Sequence, residues 1–340
     1  HGLVDAAVKL IVLRGPTDDT LCMRVDHRLA DATAAYMLIN TIAAHYRAET
    51  PIPAEDAPVV RRTVALFRSI VSEQQREDYM KVLRQEFRDQ RKDPALFRIP
   101  DATPEDPPDL PGLLSYPEGS LTELTARAMR DRATATLAIL AALGMAMRDV
   151  VEIDPDAALE LATMVNLRRY LPPELQPAPA SMLIGQAKMR VKHAPGITMS
   201  DMVQQLRDRM KEERGPHFGL RRSPVASDVP RVRFFSRVIP FRLLQFGINK
   251  LYSNFRLTPD VCVSDLGEFG RPGDEWGTAV LRNGYAQAGV WNIPSISVCC
   301  STSGSRLSIS VGARPRSFTQ KLAAALHQHL SKYVGWSHPI

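Results

Sequence analysis

Thr20-Leu21-Cys22-Met23-Arg24-Val25-Asp26-His27-Arg28-Leu29-Ala30-Asp31-Ala32 is the stretch on which the reading of this chain turns. The apolar run 21–25 predicts a strand, and a matching run at 8–13 precedes it across the turn residues Thr17-Asp18-Asp19, so the two read as paired strands. Residues 32–46 then take up a helical period, with Tyr36, Ile39, Ala43 and Tyr46 at three- and four-residue spacing. His27 therefore stands at a strand end, on a short loop before a helix, where a rigid scaffold presents reactive groups. A neutral imidazole, with a pKa near 6.5, can take a proton from an alcohol or amine at neutral pH. Asp31, turned inward at the helix start, can fix the loop by pairing with an arginine. His1 and Asp5 share the same spacing, but they lie at a chain end where nothing fixes their geometry. On local pattern alone, a structural histidine satisfied by its neighbours stays open for His27.

Composition narrows the setting. The chain has 340 residues, 44% apolar and 24% charged, which excludes disordered, collagen-like and coiled-coil classes and suits two subdomains. No apolar run reaches the roughly 18 residues that span a bilayer. The Ala-rich stretch 137–147, flanked by Arg132 and Arg148, reads as a buried helix. Cys22, Cys262, Cys299 and Cys300 are too few for a disulfide scaffold and fit free thiols in a reducing compartment. The neighbours Cys299 and Cys300 read as strand residues on opposite faces.

Charge is concentrated. From Arg207 to Arg242 ten basic residues face four acidic ones, an excess equal to the +6 of the whole chain. Such a patch suits a phosphate-bearing ligand, an acidic protein or an anionic membrane surface, and no nucleic-acid motif accompanies it. A solvated arginine-rich loop is the plainer alternative.

The rest of the chain reads as a mixed α/β protein. A long charged helical region is expected over 59–93, and a stretch with prolines at 100, 104, 107, 108, 111 and 117 as a linker or crossover. Ser120 with Glu123 predicts a capping box, followed by a helix to about Arg132 and an Ala/Leu/Met-rich helix over 136–148. Strands are expected at 159–166, 182–191, 261–266, 278–281, 295–300 and 307–311. Thr198 with Asp201 opens a helix to about Glu213, and a last helix covers 317–333.

Asp26-His27-Arg28-Leu29-Ala30-Asp31-Ala32 resembles the H-H-x-x-x-D-G motif of the chloramphenicol acetyltransferase-like acyltransferases, a superfamily that includes peptide-synthetase condensation domains, polyketide-associated acyltransferases, alcohol acetyltransferases and wax ester synthases. Met164-Val165-Asn166-Leu167-Arg168 resembles the V-N-L-R strand end of that family, and Val263-Ser264-Asp265-Leu266-Gly267 its S-N-x-G turn. The order of elements matches over nearly the whole chain. The resemblance implies a two-lobed α/β fold with mixed sheets and a tunnel between the lobes. Residues 1–55 would be a remnant of the N-terminal lobe with the motif, 56–118 a helical and Pro-rich crossover, and 119–340 the C-terminal lobe.

It further implies acyl transfer from a coenzyme A or carrier-protein phosphopantetheine thioester to an alcohol or amine. His27 would be the general base and Asp31 and Asp26 structural motif residues. Ser264, Asp265, Gly267, Asn166 and Arg168 would line the tunnel, and Arg221, Arg222, Arg231 and Arg233 would form the donor-binding patch. No metal or permanently bound cofactor is implied. The expected setting is cytoplasmic, and Arg/Phe interleaving over 232–246 is compatible with peripheral membrane contact.

The departures from the pattern are Asp26 for the first motif His, Ala32 for the Gly and Asp265 for the Asn. Family members carry a sizeable segment ahead of the motif where this chain has 26 residues, so a fragment or a reduced first lobe is expected. The arginine that partners the motif Asp belongs to that segment, which leaves Asp31 expected without a partner. A catalytically inactive, condensation-like binding platform is the alternative reading.

Overall fold

The protein, as a computed structural model, is described at residues 8–27, 30–48, 71–92, 110–151, 158–173, 183–192, 196–215, 218–222, 260–270, 275–277, 279–290 and 295–336, with single positions at 176, 240, 243 and 246. Strands β1 (Val8–Arg14) and β2 (Asp19–Val25) form an antiparallel ribbon with Val8 opposite Val25 and Arg14 opposite Asp19. Arg14 and Asp19 close its tip as an ion pair, and Arg282 reaches the adjacent Asp18. Both faces of β1 are apolar, and Leu10, Ile11, Val12 and Leu13 are all exposed, Leu13 at 55%. Continuous apolar sequence of this kind is normal for strands covered on both faces.

Helix α1 (Ala32–Ala48) buries Ala34, Ile39 and Ala43 on one stripe. Helix α2 (Glu73–Lys92) opens with a reciprocal cap: the Ser72 N–H donates to the Gln75 amide oxygen at 2.9 Å, and the Gln75 N–H to Ser72 Oγ at 3.2 Å. The first part of the expected charged helical region, residues 59–70, lies outside the described residues.

The main sheet has six strands in the order β3 (Gly112–Ser115), β10 (Arg306–Gly312), β9 (Ser295–Ser303), β6 (Asp260–Glu268), β4 (Ala158–Asn166) and β5 (Ile184–Lys192). The central pairs β4–β6 and β6–β9 are parallel, and the outer pairs are antiparallel. The Pro-rich stretch therefore ends in an edge strand, β3, which belongs to this sheet although it precedes the expected start of the second lobe. An edge position is where neighbouring prolines are tolerated.

One face of the sheet carries Leu159, Leu161, Val263, Val298, Ile309 and Val311 and is covered by helices. These are α3 (Ser120–Arg130), α4 (Ala135–Val150), α5 (Met199–Glu213) and α6 (Arg316–Val334). Helix α4 is the centre of the core, with an almost continuous buried run from Leu137 to Met147. Its Thr134 N-cap accepts from the Leu137 N–H at 3.3 Å. Among the described residues no single helix is long and apolar enough to cross a membrane, and α3 and α4, which pass by composition only as a pair, meet at 85°.

Two local expectations resolve differently. The Thr198–Asp201 box at the start of α5 is formed in both directions. The Ser120–Glu123 box is not: Gly119 caps α3 with a positive φ of 87° and no side-chain bond. Ser120 Oγ instead accepts from the Leu307 N–H of β10 at 3.1 Å, and Glu123 accepts from the Trp336 indole N–H at 2.6 Å. Long-range partners took both side chains from the local motif. The remaining strands are the short pair β7 (Glu275–Trp276) and β8 (Ala279–Val280). Cys300 faces the core and Cys299 the opposite face, as alternation requires, and all four cysteines are thiols outside any disulfide.

Tyr116 shows how the core tolerates a polar atom. Its ring packs 4.6 Å from that of Trp336 and 5.8 Å from that of His327, and its hydroxyl is buried without a hydrogen-bond partner among the described residues. A buried unsatisfied hydroxyl costs roughly 1–3 kcal/mol. Tyr116→Phe is therefore expected to be as stable as the parent in urea unfolding, or more stable by up to about 1 kcal/mol; a clear loss of stability would show that the hydroxyl has a partner.

Candidate active site

The β2–α1 connection carries His27 at its exposed beginning and Asp31 at its buried end. His27 Nδ1 lies 3.0 Å from the Ala30 carbonyl oxygen. A carbonyl oxygen only accepts, so this bond requires the proton on Nδ1, and in the neutral ring Nε2 is then the basic nitrogen. The loop thus selects one tautomer of its own histidine. Asp26 is half-buried at the end of the strand.

Asp31 is 1% exposed and is the most heavily engaged carboxylate of the region. Its Oδ1 accepts from the Ala34 N–H at 2.8 Å, which caps α1. Its Oδ2 accepts from Arg168 Nη1 at 3.0 Å and from the Leu183 N–H at 2.7 Å. The partner expected to be missing is therefore present, 137 residues further along the chain. Arg168 is itself only 2% exposed.

The turn that delivers Arg168 is built for it. Strand β4 ends at Asn166, whose Oδ1 accepts from the Arg168 N–H at 3.0 Å and caps a 3-10 turn over Leu167–Tyr170. The Leu167 N–H donates to the Leu183 carbonyl at 2.9 Å, so Leu183 binds the turn with one backbone group and Asp31 with the other. Asn166 and Arg168, expected to line a tunnel, are both part of this clamp: one caps the turn, and the other has its guanidinium turned onto Asp31. Leu183 had no signal in sequence, because its contribution is a main-chain N–H.

The S-D-x-G turn is a bulge. The β6–β9 register shifts between Asp265 and Glu268, and Gly267 takes a φ of +70°, a left-handed conformation that favours glycine. Asp265 Oδ1 accepts from the Gly267 N–H at 3.1 Å, and its Oδ2 accepts from Thr136 Oγ1 at 2.5 Å. An aspartate in the family's asparagine position therefore still supports the turn and ties it to the first turn of α4. Thr136, a lone hydroxyl in an apolar helix, is the sequence feature that this bond explains. Ser264 is half-buried on the sheet face away from the core.

That second face is polar. Ser297, Ser301 and Ser310 alternate with core residues and bind an extended segment laid across them. Ser301 Oγ accepts from the Ala286 N–H at 3.1 Å, Ser310 Oγ accepts from the Ala288 N–H at 3.0 Å, and Ser297 Oγ donates to the Gly289 carbonyl at 2.7 Å. Tyr36 of α1 lies against the same region, its ring 4.4 Å from that of Phe269. Burial raises the Tyr36 pKa, and the nearby Cys299 and Asp265 add to the shift. Burial also pushes the Cys299 thiol up to about 11, and Cys300 well above its ordinary value. Both sulfurs are protonated at neutral pH, which disfavours a thiolate nucleophile here.

Of the expected donor patch, the described residues include the side chain of Arg222. Arg222 is bidentate on Glu213, with Nη1–Oε2 at 2.6 Å and Nη2–Oε1 at 3.4 Å, and its side chain is only 8% exposed. Its guanidinium is thus engaged in an internal ion pair. Arg209 and Lys211 are likewise paired along α5, to Glu212 and Asp208. The Arg221 side chain, Arg231 and Arg233 lie outside the described residues.

The chain has the chloramphenicol acetyltransferase-like fold, a mixed α/β architecture. Polyketide synthase associated protein 5 from Mycobacterium tuberculosis superposes with a TM-score of 0.62 at 16% identity, covering 98% of this chain and 78% of that one. The first condensation domain of the calcium-dependent antibiotic synthetase gives 0.61 at 14%, over 97% and 70% of the two chains. The TRI3 trichothecene 15-O-acetyltransferase from Fusarium sporotrichioides gives 0.63 at 10%, over 97% and 70%. No protein-family model matches the chain, and no curated protein sequence does.

The clamp yields a test. Asp31→Asn keeps the shape of the side chain and removes its charge, taking the carboxylate from the buried Arg168, a change that costs about 3–5 kcal/mol. An Asp31→Leu/Arg168→Met double variant is expected to lose less than the sum of its single variants in urea unfolding. Strict additivity would mean that the two groups are not coupled.

Proposed function

We propose that this protein is an acyltransferase that moves an acyl group from a thioester to an alcohol or amine, with His27 as general base. The observation that carries the proposal is the Nδ1 contact to Ala30, which leaves Nε2 as the proton-accepting nitrogen on a loop held by a buried carboxylate. The relatedness in fold to an acetyltransferase and to condensation domains supports the same chemistry.

In this reading, neutral His27 takes the acceptor's proton on Nε2 while the acceptor oxygen or nitrogen attacks the thioester carbonyl carbon. The tetrahedral intermediate collapses by breaking the C–S bond, and the departing thiolate receives the proton from His27. No covalent enzyme intermediate is needed, in keeping with the protonated state of Cys299. Asp31 and Arg168 hold the loop and do not touch the reacting atoms. The proposed donor is acyl-coenzyme A or an acyl-phosphopantetheine on an acidic carrier protein, and the proposed setting is the cytoplasm, with membrane contact only at the surface.

A second reading is favoured by Asp26, which replaces the first motif histidine: an inactive platform that binds thioesters without turning them over. One experiment separates the two. His27→Ala is expected to reduce acyl transfer from an acyl-coenzyme A panel to alcohol and amine acceptors by about 10²–10⁴-fold, with an unchanged melting temperature. A transfer rate equal in both proteins removes His27 from the chemistry, and no transfer by the parent protein favours the platform.

A further inference from the structure

The basic segment is the expected anion site, yet among the described residues a well-placed guanidinium lies outside it. Arg169 follows Arg168 on the 3-10 turn and points to a different neighbourhood. Arg168 is buried on Asp31, whereas Arg169 is exposed. Its guanidinium carbon lies 5.2 Å from the centroid of the Phe218 ring and 5.7 Å from that of Tyr170. Contacts of this kind hold the cation by its planar face and leave the N–H edge for a ligand.

Both rings are themselves fixed. Tyr170 donates its hydroxyl to the Phe218 carbonyl at 2.8 Å. Phe218 leads into a segment whose Gly219 carbonyl lies against Gly185 of β5 so closely that a Cβ at Gly185 would stand 1.9 Å from it. No carboxylate pairs with Arg169 among the described residues, whereas Arg127, Arg207, Arg209 and Arg222 each have one within 3.2 Å. Tyr170 brings no competing negative charge, because burial raises its pKa and keeps the hydroxyl neutral.

Resting on the thioester-transfer reading above, we propose that Arg169 binds the phosphate that joins pantetheine to its carrier, whether the nucleotide of coenzyme A or a carrier-protein serine. A planar guanidinium fixed at its face offers two parallel N–H groups to phosphate oxygens. The same turn that steadies the His27 loop through Arg168 would then also carry the donor's anchor.

Calorimetric titration of the full chain with coenzyme A, 4′-phosphopantetheine and inorganic phosphate, at two potassium chloride concentrations, tests this. Arg169→Ala, exposed and so expected to melt with the parent, should weaken coenzyme A and phosphopantetheine alike by about tenfold, and should flatten the salt dependence of both. Arg169→Lys should recover part of the loss, because charge is kept while the fork is not. Binding of both ligands within twofold of the parent would overturn the proposal. So would a loss confined to coenzyme A, which would place the contact on the nucleotide, and so would parent binding no tighter than that of inorganic phosphate. The His27→Ala protein keeps the two questions apart. If it loses transfer while Arg169→Ala binds normally, only the anchor fails. If it transfers at the parent rate, the base assignment fails and the binding result stands.

Discussion

One buried carboxylate gathers three donors from three parts of the chain: the Ala34 N–H of α1, the Leu183 N–H ahead of β5 and the Arg168 guanidinium after β4. The physical constraint behind this is desolvation. A carboxylate and a guanidinium taken out of water each lose several kcal/mol of hydration, and they are tolerated together only when geometry and hydrogen bonds restore it. Such a pair adds little net stability compared with apolar side chains of the same volume, but it punishes any arrangement in which one member is left alone. The value of Asp31 therefore lies in specificity. It admits one position of the β2–α1 loop relative to the six-stranded sheet, and that position carries His27.

The remainder of the site follows the same economy of short, fixed contacts. Asp265 braces a bulge and the start of α4 with its two oxygens, and Asn166 caps the turn that aims Arg168. The serine-bearing face of the sheet is covered by main-chain groups of the segment around Ala286–Gly289, bound through hydroxyls and not through a strand ladder. The two faces of one sheet thus do separate work. The apolar face packs helices and supplies rigidity, and the polar face meets α1 and the segment that leads back toward the hairpin.

What could be read in advance depended on the range of the interaction. Strands β1 and β2, helix α1 and the buried helix α4 were legible because periodicity and turn chemistry are local properties. The Thr198–Asp201 box formed as written for the same reason. The Ser120–Glu123 box failed because Leu307 and Trp336, far along the chain, claimed those side chains. The motif spacing drew attention to His27 and Asp31, but the partner of Asp31 was looked for ahead of the motif, whereas it lies 137 residues after it. Nothing in a V-N-L-R string says that its arginine turns inward. Arg222 shows the converse: in a segment rich in positive charge, only coordinates distinguish an arginine neutralised by Glu213 from one open to a ligand.

The separation of Asp31 from Arg168, 137 residues along the chain, has a consequence for the order in which the molecule assembles. Closing so long a loop carries an entropic cost that grows with the logarithm of its length, and contacts this distant in sequence form late unless the intervening structure shortens the path. The hairpin and α1 can form on their own local signals, but the loop between them has no reason to settle until β4, the 3-10 turn and the backbone of Leu183 are in place. Placement of His27 is thus a late event in folding and an early loss on partial unfolding. A chain whose six-stranded sheet is intact but whose α1 has lifted away would keep its core and leave the proposed base out of position.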